Sequence, residues 1–147
     1  MRIRWGILLG LVLVAAPLWA ALGEPEQSVQ TDRERMAGQV RRTAFAGYTL
    51  HEITTTDGRK IREYVTPSGT VFGVAWEGSS LPDFSQLLGP YFPAFQQAVA
   101  SPTRRHGPLY VQVGPLVVAS GGHMRSLRGH AYVTDLIPAN VSKDVIQ

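Results

Sequence analysis

Short runs of β-forming residues separated by turn signals occupy the stretch Tyr48 to Trp76, and this spacing constrains the fold more than any other feature. Thr56-Asp57-Gly58 predicts a tight hairpin, because glycine accepts a positive φ and aspartate tolerates one. Pro67-Ser68-Gly69 predicts a second turn, since proline presets the φ of its first corner. The pattern therefore predicts a three-stranded meander with strands at about 48–55, 60–66 and 70–76.

The two later strands of this meander differ in their side-chain patterns. In the second strand Ile61, Glu63 and Val65 share one face, because successive side chains point to opposite sides of a sheet. By the same alternation, His51 and Glu52 on the first strand point in opposite directions. The third strand is apolar from Val71 to Trp76, which is typical of a strand covered on both faces.

Two helices are predicted around the meander. Thr31-Asp32-Arg33-Glu34 has the spacing of a capping box. An apolar stripe accompanies it and indicates an amphipathic N-terminal helix; its members are Val29, Met36, Ala37 and Val40. After the meander, Asp83 has the position of a helix cap, and an aromatic face indicates a central helix at about 90–100.

More strands are predicted towards the C-terminus, at 109–113, 116–120 and 130–134. Gly121-Gly122 reads as a break between strands, and Leu127-Arg128-Gly129 as a turn. The chain of 147 residues has the length of one domain. The predicted fold class is α+β: the meander and the C-terminal strands form an antiparallel sheet, and the N-terminal amphipathic helix and the central helix pack on it.

The first 20 residues have the three-part layout of a secretory signal peptide: Arg2 and Arg4, an apolar run from Trp5 to Ala16, and small residues after Pro17. Cleavage after Ala20 or as late as Gly23 would leave one exported domain at about 21–147. The alternative is an uncleaved helix that anchors the domain to the inner membrane. We therefore expect the protein in the periplasm or outside the cell.

Charge and cysteine content exclude several classes of function. The signal peptide removes two of the 14 basic residues, so the mature chain nearly balances its 11 acidic residues. Its short basic pairs are scattered among acids, which argues against nucleic-acid binding. The chain has no cysteine, so thiol catalysis, disulfides and Cys-ligated metals are excluded. No cofactor-binding motif is present, and the expected set of cofactors is empty.

The stretch from His123 to His130 is the most distinctive chemically, because imidazoles and guanidinium groups crowd there without a nearby acid. We interpret it as a candidate interaction surface for an envelope protein or an anionic envelope component. This surface gains positive charge when its histidines are protonated. Its candidate residues are His123, Arg125, Arg128 and His130.

Two other functions are open from the residues. A small hydrolase or metal-dependent enzyme would use His123 with Ser120, His130 or Glu63, although no motif spacing fixes these residues together. A ligand carrier would hold a cavity under Trp76 and Phe95. Because no catalytic motif is present, the favoured interpretation is a non-catalytic binding or structural component of the cell envelope.

The ordered blocks of the chain resemble a bacterial family called domain of unknown function 2844, whose members are small exported proteobacterial proteins. The matching blocks include Ala21-Leu22-Gly23, Arg62-Glu63-Tyr64-Val65, Leu81-Pro82-Asp83, Gln86-Leu87-Leu88-Gly89, Ser120-Gly121-Gly122-His123-Met124-Arg125 and Ala131-Tyr132-Val133. The resemblance covers nearly the whole mature chain and implies no activity, cofactor or functional residue. Glu24 stands where the family pattern has a second glycine, which favours cleavage after Ala20.

Overall fold

Seven antiparallel strands form one sheet in this computed structural model, which describes residues 22–26, 39–100 and 107–147. The strands are β1 (Gln39–Phe45), β2 (Tyr48–Thr54), β3 (Lys60–Val65), β4 (Val71–Gly78), β5 (Leu109–Val113), β6 (Leu116–His123) and β7 (Ser126–Val133). Their order across the sheet is β1-β2-β3-β4-β7-β6-β5. The strands β1 to β4 form a meander, and the chain reaches the other edge before β6 and β7 return to β4.

A short helical segment connects the two halves of the sheet. It consists of α1 (Phe84–Leu88), a 3₁₀ turn (Gly89–Tyr91) and α2 (Phe92–Val99). The predicted cap is confirmed, because the Asp83 carboxylate accepts a hydrogen bond from the Ser85 amide at 2.9 Å. The predicted central helix is also confirmed. Among the described residues, no helix is both long enough and apolar enough to cross a membrane.

One face of the sheet, which we call the helix face, packs against this helical segment. Ile61, Val74 and Trp76 contribute to it from the sheet, and Leu88 and Phe95 cover it. Gly129 lies directly beneath Trp76, where a Cβ atom would clash with the indole ring. The sequence predicts Gly129 to be a turn residue, but in the structure it lies inside β7 and is required there by close packing.

The opposite face, which we call the tail face, is half covered by residues 134–147. Ile146 packs on Gly73, Phe72 and Tyr132 belong to the same apolar cluster, and Tyr64 donates a hydrogen bond to the main-chain oxygen of Gln147 at 3.2 Å. Both faces of β4 are thus buried along Val71 to Trp76, as its apolar sequence predicts. The other half of the tail face, towards the tip of the β6–β7 hairpin, lies open.

Three details of the predicted fold need correction. The meander has a fourth strand, β1, and Val40 lies in it opposite Ile53 rather than on a helix. The rest of the predicted N-terminal helix lies outside the described residues, and the structure does not support it. Gly121 and Gly122 lie within β6, and Leu127-Arg128-Gly129 lies within β7 instead of forming a turn.

Candidate functional site

The β6–β7 hairpin carries all four candidate surface residues. His123 pairs with Ser126, so the connecting loop consists of Met124 and Arg125 only. Met124 is 96% exposed, and Arg125 has a φ of 67°. This two-residue loop lies at the tip of the hairpin, where the sequence shows none of the usual Asn-Gly or Gly-containing turns.

Strand alternation places three of the four candidates on one side of the sheet. Arg128 lies opposite Gly121, and His130 lies opposite Ala119, so both side chains share the tail face with His123. The structure therefore brings His123, Arg128 and His130 together as one surface strip. Arg125 lies at its end, in the loop.

The same register separates the groups that a hydrolase or metal enzyme would need. Ser120 and Glu63 lie on the helix face and His123 on the tail face. His123 and His130 share a face, but the row of His123 and Ser126 lies four residues along β7 from the row of His130, a distance of about 13 Å. Within the residues that the structure describes, no group of three or more acidic or histidine side chains is placed to hold a metal ion.

The aromatic residues proposed to cover a ligand cavity form part of the core instead. The Phe84 ring lies between the two, with ring centroids 5.3 Å from Trp76 and 5.3 Å from Phe95. Trp76 is 2% exposed and Phe95 is 6% exposed. Because Phe84 fills the space that a carried ligand would need, this arrangement argues against the ligand-carrier interpretation.

A surface cavity of about 360 Å³ opens on the uncovered half of the tail face. It is lined by Arg62, Trp76, Glu77, Arg128, Gly129, His130 and Gln147. A shallower apolar cavity of about 260 Å³ adjoins it and is lined by Pro108, Leu109, Tyr110, Ala119, Ser120, Gly121, Arg128 and Gly129. The linings of the two cavities share Arg128 and Gly129, and we call the two cavities together the Arg128 groove.

The register of five strands builds this groove. One row across the tail face runs from Arg62 through the small Ala75 to His130, then through Ala119 to Tyr110. Tyr110 is 66% exposed at the edge strand β5. Ala119 has only a methyl side chain, and Gly121, two residues further along the same face of β6, has none. The surface between the tyrosine ring and the charged groups is therefore recessed.

The charges in the groove are not equivalent. Arg62 donates a hydrogen bond to the main-chain oxygen of Gln147 at 2.8 Å and lies 3.8 Å from the Glu77 carboxylate. Arg128 is paired with Glu77 in register, yet among the described residues no carboxylate lies within 4.0 Å of its guanidinium group. Arg128 is therefore the cation of the groove that is available to an anion.

His130 acts in the groove as a neutral group near pH 7. Burial against the sheet lowers the pKa of His130 below its usual value of 6.5. Its ring stacks on Tyr132 with centroids 6.0 Å apart. In the neutral form the imidazole donates one hydrogen bond and accepts another, so it suits the polar part of a ligand rather than a second anion.

A second charged cluster lies on the helix face, away from the groove. One carboxylate oxygen of Glu26 contacts His51 Nε2 at 3.1 Å and Arg42 Nη2 at 3.2 Å. Burial lowers the pKa of His51, although Glu26 acts in the opposite direction. Glu63, which is 1% exposed, lies opposite His51 on β3. This cluster joins the N-terminal segment to the sheet.

The family resemblance that the sequence blocks indicate is confirmed by a match to a family model. The model described as Protein of unknown function (DUF2844) matches residues 19–146. The chain belongs to this family. Searches of curated proteins and of solved structures found no significant match. Membership of DUF2844 assigns no activity, so any function must be argued from the geometry of the groove.

The predicted interaction surface covers only part of the groove. Arg62, Glu77 and Tyr110 line it together with the predicted Arg128 and His130. The alternation of β3 and β5 does place Arg62 and Tyr110 on an exposed side of each strand. What the sequence does not show is that β7 inserts between β4 and β6, which brings these strands into one surface.

Proposed function

We propose that this protein is exported to the cell envelope and acts there as a non-catalytic binding protein. Its ligand is an anionic envelope component, which binds in the Arg128 groove. The layout of the first 20 residues supports export. The separation of Ser120, His123, His130 and Glu63 supports a binding role over a catalytic one.

A single observation carries the proposal: Arg128 lines both cavities and has no carboxylate partner among the described residues. A guanidinium group binds a carboxylate through two parallel hydrogen bonds, which adds specificity to the charge attraction. Tyr110 and the recessed surface beside it offer apolar contacts to the rest of the ligand. A glycan composed of uronic acids has both features, since each of its sugar rings carries a carboxylate and an apolar face.

Binding of a defined acidic glycan tests this proposal. Isothermal titration calorimetry would compare an oligogalacturonate with its methyl-esterified, uncharged form on the mature chain. We expect Arg128→Gln to weaken binding of the acidic form about tenfold, or about 1.4 kcal/mol, because a charge-assisted hydrogen bond is lost at an exposed site.

Arg41→Gln is the matched control. Arg41 is an exposed arginine on the same face but on β1, at the opposite half of the sheet, so its loss removes the same charge without touching the groove. Its affinity should stay within twofold of wild type. Equal binding of the esterified glycan, or equal weakening by both substitutions, would contradict the proposal. Binding to anionic lipid vesicles alone would point to a membrane surface instead.

A further inference from the structure

The short segment 22–26 docks on the sheet and contributes to the core. Leu22 is fully buried beside Leu87 and Leu88 in the cluster of the helix face. The Leu22 amide donates to the carbonyl oxygen of Leu87 at 3.1 Å, and the Gly23 amide donates to that of Val71 at 2.8 Å. Val71 returns a hydrogen bond to Glu24 at 3.0 Å.

These contacts distinguish cleavage after Ala20 from cleavage after Gly23. Cleavage after Gly23 would remove a core leucine and two backbone donors, and it would leave the carbonyl groups of Leu87 and Val71 without these partners. Cleavage after Ala20 would keep all of them. Small residues precede both positions, so the residue preferences of a signal peptidase do not decide between them.

We infer that the export signal is removed between Ala20 and Ala21, so that Leu22 remains in the mature protein as a core residue. The inference rests on the export step of the proposed function.

Intact-mass measurement of the exported protein tests this inference. The full chain with a C-terminal affinity tag would be produced in a Gram-negative host, and the periplasmic and medium fractions would be purified. A mass that corresponds to a chain beginning at Ala21 supports the inference. A chain beginning at Glu24 overturns it while leaving export intact. An uncleaved chain in the cytosol overturns both this inference and the export step.

Thermal unfolding provides a second test that does not depend on the host. Chains beginning at Ala21 and at Glu24 would be compared, with Leu22→Ala in the longer chain as the matched variant. We expect the shorter chain to melt on the order of 10 °C lower, because it loses a fully buried leucine and its hydrogen bonds. The Leu22→Ala variant should fall between the two. Equal melting temperatures would overturn the inference.

Discussion

At the scale of single residues, Glu26 shows how one carboxylate joins two parts of the chain. It follows the docked Leu22, and its oxygen contacts Arg42 on β1 and the buried His51 on β2. His51 Nδ1 has no hydrogen-bond partner among the described residues, so Nε2 makes the contact that orients this ring. Protonation of His51 would place a positive charge in a buried position, in contact with the carboxylate of Glu26.

The pKa of His51 makes the folded protein sensitive to acid. Burial lowers this pKa below the unfolded value of about 6.5, so the unfolded chain binds the proton more readily. The free energy of unfolding should therefore fall as the pH drops below about 6.5, and His130 should act in the same direction. An NMR titration of the His51 ring protons should give a midpoint below 6.5 in the wild-type protein.

Glu26→Gln should move that midpoint lower still, because it removes the charge that favours the imidazolium form. Glu24→Gln is the matched control. Glu24 lies in the same segment, but it is not among the groups that act on His51. A higher midpoint in Glu26→Gln, or an equal shift in Glu24→Gln, would show that Glu26 does not control the protonation of His51.

At the scale of elements, the tip of the β6–β7 hairpin holds a non-glycine residue in a left-handed conformation. Arg125 has a φ of 67°, a region in which its Cβ atom crowds the backbone. The two-residue loop requires this conformation, and the paired strands on either side maintain it. The strain is local to the loop.

Arg125→Gly should relieve this strain. We expect the free energy of unfolding to rise by up to about 1 kcal/mol, measured by denaturant titration, because glycine adopts a positive φ without steric cost. Met124→Gly should leave stability unchanged or lower it, since Met124 has no positive φ. A loss of stability in Arg125→Gly would mean that its side chain makes a stabilising contact that outweighs the strain.

The sequence predicts strands correctly where the turn residues between them match the turns of the fold. It fails where tertiary packing, rather than the local sequence, determines the structure. The hairpin at Thr56-Asp57-Gly58 and the turn at Pro67-Ser68-Gly69 lie where the sequence predicts them, with Gly58 and Gly69 at positive φ. The prediction of a turn at Gly129 was wrong, because this position needs glycine to leave room for the Trp76 ring. Most residues of β1 are exposed, so the strand lacks the apolar alternation that would reveal it.

At the scale of the whole molecule, the two faces of the sheet are covered to different extents. The helical segment and residues 22–26 cover the helix face, while residues 134–147 cover only half of the tail face. The uncovered half carries the Arg128 groove, which the strand order assembles from β3, β4, β7, β6 and β5. Composition and local pattern indicated Arg128 and His130, but their neighbours Arg62 and Tyr110 depend on that order.

The measurement that tests the central claim most directly is a map of ligand contacts on a ¹⁵N-labelled chain that begins at Ala21. Oligogalacturonate should shift the backbone amide signals of Tyr110, Gly121 and residues 128–130, because these line the Arg128 groove. The signals of the helical segment 84–99, which covers the opposite face, should stay in place. Shifts confined to that segment, or the absence of any shift at saturating ligand, would contradict the claim that this face binds an anionic glycan.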